Sequence, residues 1–156
     1  MIKPKIISGG QTGVDQGALD FALDYNFDCG GFCPKGRLCE MGIIPFKYPL
    51  IEIDSEDFVE RTRKNVLESD ASIIVKDESE FKDGTLNAIM FCKQFSKPYL
   101  IYDVNFDPIN YEMFQEWLNK NKIKVLNIAG NRASRSPGIK GKAYLLLEKL
   151  FNLSGK

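Results

Sequence analysis

The chain has 156 residues, 44% of them hydrophobic, and its 21 basic side chains balance its 21 acidic ones. That length and composition are typical of one domain that folds without disulfide bonds or a structural metal, so we expect a single domain over residues 1–156. Because the sequence contains no histidine, it excludes Ser-His-Asp and Cys-His catalysis and zinc sites of the HExxH type.

Charge is distributed unevenly although the total is zero. Residues 120–156 carry nine basic and one acidic side chain, whereas residues 50–119 carry seven basic and 15 acidic ones. This difference predicts either solvated faces of opposite sign or an anion site lined by the C-terminal third. The balanced total argues against nucleic acid as a partner. No signal peptide or apolar run of about 18 residues is present, which predicts a cytoplasmic protein that does not engage a membrane.

In the first half of the chain, strand-like and helix-like segments alternate around one irregular excursion. A strand at residues 5–8 enters a glycine-rich turn, and helical spacing of apolar residues predicts a helix over 15–25. A second strand is predicted at 29–33, and three prolines with two glycines exclude a helix over 34–50. After an extended stretch at 48–53, Ser55 is interpreted as the N-cap of a helix that ends near Glu68.

The second half continues the alternation. A continuous apolar run at 71–75 is typical of a strand buried on both faces, and a polar, turn-like segment follows at 77–83. Helices are predicted at 85–95, 111–121 and around 143–150, with strands at 99–102 and 124–129. Strands alternating with helices indicate an α/β protein built from βαβ units around a parallel sheet.

Three of the predicted strands run directly into glycine-containing turns that precede helices, at residues 8–13, 83–85 and 130–138. Because the carboxyl ends of parallel strands share one edge of the sheet, we expect these turns to meet in one crevice. Free backbone N–H groups and positive helix ends would converge there and favour a small anionic ligand. The candidate ligand-binding residues in these turns are Ser8, Gly9, Gly10, Gln11, Thr12, Gly13, Gly84, Thr85, Asn131, Arg132 and Ser134.

The spacing of the first turn matches neither the GxGxxG nor the GxxxxGK[ST] motif, so we expect no NAD and no P-loop hydrolysis. Lys35 and Arg37 place two cations on the excursion, and Arg132 adds a third at the last turn. A few charge-assisted hydrogen bonds of this kind give roughly micromolar binding of an oxyanion or phosphate. Arg61 and Asn65 share one helix face, for which solvated surface is the expectation.

The four cysteines are too irregularly spaced for a CxxC motif or a zinc framework. We therefore expect reduced thiols that pack in the interior and no metal site made by the protein. The positions concerned are Cys29, Cys33, Cys39 and Cys92.

An ordered set of motifs spans almost the whole chain: SGGQTGVD at 8–15, GFCPKGR at 31–37, YPL at 48–50, Arg61-Thr62 with Asn65-Val66, Ser69-Asp70, and GNRASRSPG at 130–138. This set resembles the molybdenum carrier (molybdenum cofactor carrier) family, which is related to the lysine-decarboxylase-like and cytokinin-activating phosphoribohydrolases. The resemblance implies a three-layer Rossmann-like fold, with helices on both faces of a mostly parallel sheet of about five strands.

The resemblance also implies a homo-oligomer, a dimer or tetramer, that binds molybdenum cofactor or molybdate as cargo for delivery. By motif match, ligand binding transfers to Gly9, Gly10, Thr12, Gly13, Lys35, Arg37, Gly84, Thr85, Arg132 and Ser134. The chain departs from the family pattern at Met41, where relatives have an acid, and at Asp83, where relatives often have glycine.

A carrier is expected rather than an enzyme, because one carboxylate is missing. The related phosphoribohydrolases resemble one another in a GGxGTxxE signature, and Ala88 stands here in place of its glutamate. Asp15 or Glu40 could supply the carboxylate instead. A phosphoribohydrolase-type enzyme acting on a nucleoside monophosphate or related nucleotide is therefore the alternative.

Overall fold

Strands and helices alternate through the residues that the computed structural model describes, which are 1–77, 84–105 and 107–154. In chain order the elements are β1 (Lys5–Ile7), α1 (Val14–Asp24), β2 (Cys29–Gly30), β3 (Phe32–Cys33), β4 (Leu38–Cys39), β5 (Gly42–Ile43), β6 (Ile51–Glu52), α2 (Phe58–Leu67), β7 (Ala71–Lys76), α3 (Gly84–Gln94), β8 (Tyr99–Asp103), α4 (Tyr111–Lys120), β9 (Val125–Gly130) and α5 (Ile139–Leu150). The predicted turn at 77–83 lies outside the described residues after Asp77.

The central sheet has five strands in the order β2-β1-β9-β7-β8, and all neighbouring strands are parallel. β9 lies between β1 and β7, with Leu126 opposite Ile6 and Ile128 opposite Ile73. The apolar run in β7 is buried on both faces, as its sequence predicted. This topology confirms the α/β fold and places the ends of β1 and β9 side by side.

Helices cover both faces of this sheet. Successive residues of a strand point to opposite faces, so neighbouring residues of β7 pack against different helices. Ile73 and Val75 of β7 belong to a large core cluster that includes residues of α1, α4 and α5. Ile74, between them, packs instead with Ala88 and Ile89 of α3. α2 packs against α3 on this second face. The arrangement confirms the three-layer, Rossmann-like fold that the resemblance implied.

The segment predicted as one strand over 29–33 is two strands. Gly31 interrupts it with a φ of 124°, and a Cβ at this position would lie 2.2 Å from the carbonyl oxygen of Ser8. β2 therefore pairs with β1 in the central sheet, whereas β3 pairs with β6 in a separate two-stranded sheet. The excursion that follows contains the antiparallel hairpin of β4 and β5.

The N-cap predicted at Ser55 is wrong. Asp57 caps α2, because its side chain accepts a hydrogen bond from the backbone N of Val59 at 2.8 Å. The Oγ of Ser55 instead accepts from the backbone N of Asp57 at 3.0 Å, which forms a short turn before the helix. No helix within the described ranges is both long and apolar enough to cross a membrane.

Candidate ligand-binding site

A cavity of about 360 Å³ lies at the carboxyl ends of β1 and β9, on the side of the sheet that α2 and α3 cover. This volume falls within the range of small-molecule sites in proteins. The lining comprises Gly9, Gln11 and Asp15 from the segment after β1, Phe58, Val59, Arg61, Thr62 and Asn65 from α2, Thr85 and Asn87 from α3, and residues 127–132 with Arg135 from β9 and the turn that follows it.

The cavity brings together five of the residues that the sequence predicted for ligand binding. All three glycine-containing turns contribute, so the convergence expected from a parallel sheet is observed. The five residues in the lining are Gly9, Gln11, Thr85, Asn131 and Arg132. The candidates that do not line the cavity are Ser8, Gly10, Thr12, Gly13, Lys35, Arg37 and Ser134, while Gly84 is the first residue of α3.

Asn131 ties the three turns to one another. The Thr85 Oγ1 donates to Asn131 Oδ1 at 2.9 Å, and Asn131 Nδ2 donates to Ser136 Oγ at 2.9 Å. The backbone carbonyl of Asn131 accepts from the N of Val14, the first residue of α1, at 3.1 Å. The first turn of α3, the turn after β9 and the start of α1 are therefore held in fixed positions around the cavity.

Two glycines of the first turn are required by close packing. A Cβ on Gly9 would lie 2.3 Å from the Cδ of Arg61, so a larger residue there would displace the arginine side chain. Gly13 has a φ of 84°, and a Cβ on it would lie 2.4 Å from the carbonyl oxygen of Asn131. These glycines permit contact between protein segments, in addition to any access that they give to a ligand.

The side-chain oxygens of Ser8 and Gln11 form hydrogen bonds within the protein. Ser8 is fully buried, and its Oγ donates to the carbonyl oxygen of Ile128 at 2.6 Å, which joins β1 to β9. Gln11 Oε1 accepts from the backbone N of Thr12 at 3.1 Å and from that of Glu40 at 2.9 Å. Both residues thus support the walls of the cavity.

Glu40, at the end of the β4 strand, connects two of the turns. Its carboxylate accepts from the hydroxyl of Thr12, and from the N and Oγ of Ser134 at 3.1 and 2.5 Å. Arg132 Nη1 lies 4.0 Å from its Oε2. Although burial raises the pKa of Glu40, the hydrogen bonds from Ser134 and Thr12 and the charge of Arg132 lower it below its usual value. A carboxylate of the protein therefore occupies the position between Thr12 and Ser134.

The two cations of the excursion do not line the cavity. Lys35 is exposed and lies 3.6 Å from Asp54. The Arg37 Nη2 donates to the carbonyl oxygens of Pro45 and Tyr48 at 2.8 and 3.0 Å. Arg37 therefore stabilises the path of the excursion, and the ligand-binding roles transferred to both residues stay predictions.

Arg61 is buried in the wall of the cavity, so the expectation of a solvated surface is wrong at this position. The residue is 6% exposed, its Nη1 donates to the carbonyl oxygen of Gly9 at 3.0 Å, and this nitrogen lies 3.9 Å from Asp15 Oδ2. Burial raises the pKa of Asp15, while the charge of Arg61 and the backbone N–H of Gln11 oppose this rise.

Two asparagines complete the buried polar wall. Asn65 is 2% exposed, accepts from the backbone N of Phe32 at 2.9 Å and donates to its carbonyl oxygen at 2.9 Å. The expectation of a solvated surface is thus wrong here as well. Asn127 Nδ2 donates to Ser72 Oγ at 3.0 Å, while its buried Oδ1 meets no donor within the described residues.

The cavity is lined by more positive than negative charge. Its ionisable lining groups within the described residues are the guanidinium groups of Arg61, Arg132 and Arg135 and the carboxyl group of Asp15. The C-terminal third, whose basic excess the sequence indicated, supplies two of these arginines. The charge of this lining is complementary to that of an anion.

Thiols and carboxylates do not form a metal centre in the described part of the chain. All four cysteines are free; Cys33, Cys39 and Cys92 are buried, as expected, whereas Cys29 is only half-buried. No group of three or more Cys, Asp or Glu side chains within the described residues could hold a metal ion.

Sequence reasoning missed Arg61, Asn65, Asn127 and Arg135 as members of the site. The available signal was the pattern of α2, in which Arg61, Thr62, Asn65 and Val66 all lie on the buried face. Polar residues on a helix face that also carries a core valine indicate a buried polar site. Asn127 gave a comparable signal, since it stands inside an otherwise apolar strand.

Comparisons with known proteins identify a matching family and a similar fold. The model of a family described as the circularly permutated YpsA SLOG family matches residues 6–151. A crystal structure of a protein from Syntrophus aciditrophicus SB, described as a candidate molybdenum carrier protein, is 42% identical in sequence and has a TM-score of 0.87. The match covers 94% of this chain and 93% of that one. A comparison with curated proteins gave no match.

Proposed function

Because the chain belongs to the circularly permutated YpsA SLOG family, we propose that it is a carrier that binds a molybdenum-containing anion in the cavity at the carboxyl ends of β1 and β9. The cargo is molybdate or molybdenum cofactor. Support comes from the 42% identity, over nearly the full length of both chains, to a protein described as a candidate molybdenum carrier. No covalent step is involved, since the ligand is held and then released.

The observation that carries this proposal is the set of three arginines around a preformed cavity. Arg61, Arg132 and Arg135 reach it from α2 and from the turn after β9, while Asp15 is the single acidic side chain among the described lining residues. Guanidinium groups match the oxygen atoms of tetrahedral oxyanions, with which they form charge-assisted hydrogen bonds. Molybdate and the phosphate group of a cofactor both present such oxygens.

Carboxamide side chains favour a cargo with an organic part. Asn87 lines the cavity, and Asn127 brings a buried Oδ1 that lacks a donor within the described residues. A bare oxyanion offers no hydrogen-bond donor to such an oxygen, whereas the ring nitrogens of a cofactor do. The volume of about 360 Å³ also suits an organic ligand. Molybdenum cofactor is therefore the cargo that we expect to bind more tightly.

Asp15 favours a second candidate function, a phosphoribohydrolase-type enzyme acting on a nucleoside monophosphate. Its carboxyl group lies in the cavity lining, where an acid–base group would be needed. Against this candidate, Ala88 occupies the position of the signature glutamate and is fully buried among apolar side chains. The Glu40 carboxylate is already bonded to Thr12 and Ser134.

Native mass spectrometry of protein purified without phosphate or sulfate tests the proposal, followed by thermal-shift titration. Molybdate, molybdenum cofactor and nucleoside monophosphates are the ligands to compare. A cargo present at a hundredfold excess over its Kd stabilises the fold by about 2.7 kcal/mol. Stabilisation by a molybdenum species supports the carrier. Release of free base from a nucleoside monophosphate, detected by chromatography, contradicts it and supports the enzyme.

A homo-oligomer, dimer or tetramer, and a cytoplasmic location are proposed as well, on the basis of the resemblance and of the sequence. The hairpin region exposes apolar side chains, since Met41, Ile43 and Phe46 are 80%, 63% and 81% exposed. Light scattering after size-exclusion chromatography, set against the chain mass of 17.7 kDa, tests the assembly. Cell fractionation tests the location.

A further inference from the structure

A buried ion pair forms part of the cavity wall. Arg61 on α2 and Asp15 near the start of α1 are 6% and 7% exposed, and both line the cavity. The Arg61 Nη1 lies 3.9 Å from Asp15 Oδ2. The guanidinium also lies over the ring of Phe58, 5.4 Å from its centroid, and donates to the carbonyl oxygen of Gly9. Arg61 is thus a cation whose position is fixed before any ligand binds.

The guanidinium of Arg61 retains donors for a ligand. It carries five N–H groups, and among the described residues its one hydrogen-bond acceptor is the Gly9 carbonyl oxygen. The oxygens of a tetrahedral anion fit the planar fork of a guanidinium and can accept two parallel hydrogen bonds. An oxyanion in the cavity therefore has a preformed partner at Arg61.

Binding of such an anion changes the charge balance around Asp15. With its carboxyl ionised, Asp15 neutralises Arg61, so an anion bound at Arg61 would lie beside a second negative charge in a buried site. A nearby like charge raises the pKa of a carboxyl group. Burial already raises the pKa of Asp15, although Arg61 opposes this. Protonation of Asp15 is consequently the simplest way to relieve the repulsion.

Among the described residues, the charged groups that line the cavity together with this pair are Arg132 and Arg135. Arg61 is the charged group that faces Asp15 from α2, and the segment before α1 provides the backbone N of Gln11 at 3.2 Å. Arg61 in turn feels the charge of Arg132 in the turn after β9 and the thiols of Cys33 and Cys39. Of these groups, Asp15 is the acid in direct contact with Arg61.

We propose that Arg61 binds the oxyanion of the ligand and that Asp15 takes up one proton from solvent as the anion enters. The anion and the proton are then bound and released together, so a rise in pH favours release. No bond to the ligand is made or broken, because the proton moves only between water and the carboxyl group. The inference rests on the proposed function for the identity of the anion as a molybdenum-containing cargo.

Isothermal titration calorimetry with molybdate and with sulfate tests this coupling. Neither anion changes its own protonation near pH 7, so a proton taken up during binding belongs to the protein. Titration in buffers of different ionisation enthalpy gives the number of protons. Between the pKa of Asp15 in the free protein and its higher pKa in the complex, we expect uptake of about one proton and a Kd that rises about tenfold per pH unit. Binding without proton uptake overturns the inference.

Variants identify the side chain that takes up the proton. Asp15→Asn keeps the shape and a hydrogen-bond acceptor but cannot titrate, so we expect no proton uptake and a Kd that is independent of pH. The control is Asp28→Asn at an exposed position, which should keep the proton uptake and the pH-dependent Kd of the wild type. Arg61→Gln weakens binding by about tenfold or more, whereas Arg63→Gln, on the same helix outside the lining, does not. Unchanged uptake in Asp15→Asn contradicts the proposal even if Arg61→Gln fails to fold.

The outcomes separate this inference from the proposed function. If molybdate or the cofactor binds without proton uptake, the carrier stands and the coupling is wrong. If sulfate binds with one proton while no molybdenum species binds, the coupling stands and the carrier is wrong. If none of these anions binds, both are wrong.

Discussion

The carboxylate of Glu40 accepts two hydrogen bonds from Ser134, at 3.1 Å from its backbone N and at 2.5 Å from its Oγ. These residues are 94 positions apart in the chain. The contact joins the β4–β5 hairpin to the turn after β9, and the hydroxyl of Thr12 adds the first turn to the same carboxylate. Glu40 thus fastens the excursion to the edge of the ligand site.

Removal of this charge should loosen the hairpin. We expect Glu40→Gln to lower the free energy of unfolding by about 1–2 kcal/mol, because hydrogen bonds to a charged acceptor become neutral ones. Urea denaturation gives the change, and the exposed Glu56→Gln serves as the control with little effect. An equal loss in both variants would show that Glu40 contributes only its general surface charge.

The stabilising contribution of the Glu40 carboxylate should depend on pH. Because the pKa of Glu40 is lowered from its ordinary value of 4.5 in the folded protein, its stabilising contribution is present above that value. The contribution is lost as the pH falls through the folded pKa. The difference in stability between the wild type and Glu40→Gln should therefore close on acidification. A difference that stays constant down to about pH 2 would contradict the ionised contact.

The packing of the first turn against the last turn predicts a large effect of one methyl group. In Gly13→Ala the added Cβ meets the carbonyl oxygen of Asn131 at 2.4 Å, and the φ of 84° disfavours alanine. We expect a loss of about 2–4 kcal/mol in unfolding free energy and weaker ligand binding. Gly141→Ala is the matched control, because nothing lies within 4 Å of its Cβ in α5. The free energy of unfolding of this control should rise by about 0.5–1 kcal/mol. A destabilising Gly141→Ala together with a neutral Gly13→Ala would contradict the close packing of Gly13 against Asn131.

Substitutions of Arg37 and Arg132, which the sequence predicted to bind the ligand together, should have different effects. Arg132→Ala removes a cation from the cavity lining and should weaken molybdate binding by about tenfold. Arg37→Ala removes hydrogen bonds to the carbonyl oxygens of Pro45 and Tyr48, so it should lower thermal stability with a smaller change in Kd. Calorimetry and thermal unfolding of both variants measure the contrast. A tenfold loss of affinity at unchanged stability in Arg37→Ala would instead support its direct contact with the ligand.

Much of the fold could be predicted because local patterns determined it. The apolar run at 71–75 marked a strand buried on both faces, and β7 is that strand. The glycine-bearing turns followed strands, and the parallel sheet brought them to one edge, where Gly9, Thr85 and Asn131 line the cavity. Helix boundaries differed by only a residue or two, except at α2, where Asp57 rather than Ser55 provided the cap, and at α5, which begins at Ile139 rather than near residue 143.

The parts of the site that were missed depend on contacts between distant segments. Arg61 fits against the first turn because Gly9 lacks a side chain and leaves room for it. Helical periodicity could place Arg61 on the buried face of α2, but it could not identify Gly9 as its partner. Arg37 carried the same charge as Arg132, yet the carbonyl oxygens of its own loop hold its side chain. Charge and motif therefore predicted the kind of ligand better than they predicted which cations meet it.

The position of bound molybdenum tests the proposed site most directly. Crystals of the protein soaked in molybdate or grown with molybdenum cofactor would be measured at the X-ray absorption edge of molybdenum, whose anomalous signal locates the atom. The ligand-binding cavity predicts one peak between Arg61 of α2 and Arg132 of the turn after β9, which is lost in Arg61→Gln. A peak elsewhere on the molecule, or none at ligand concentrations that saturate a micromolar site, would contradict the proposed site.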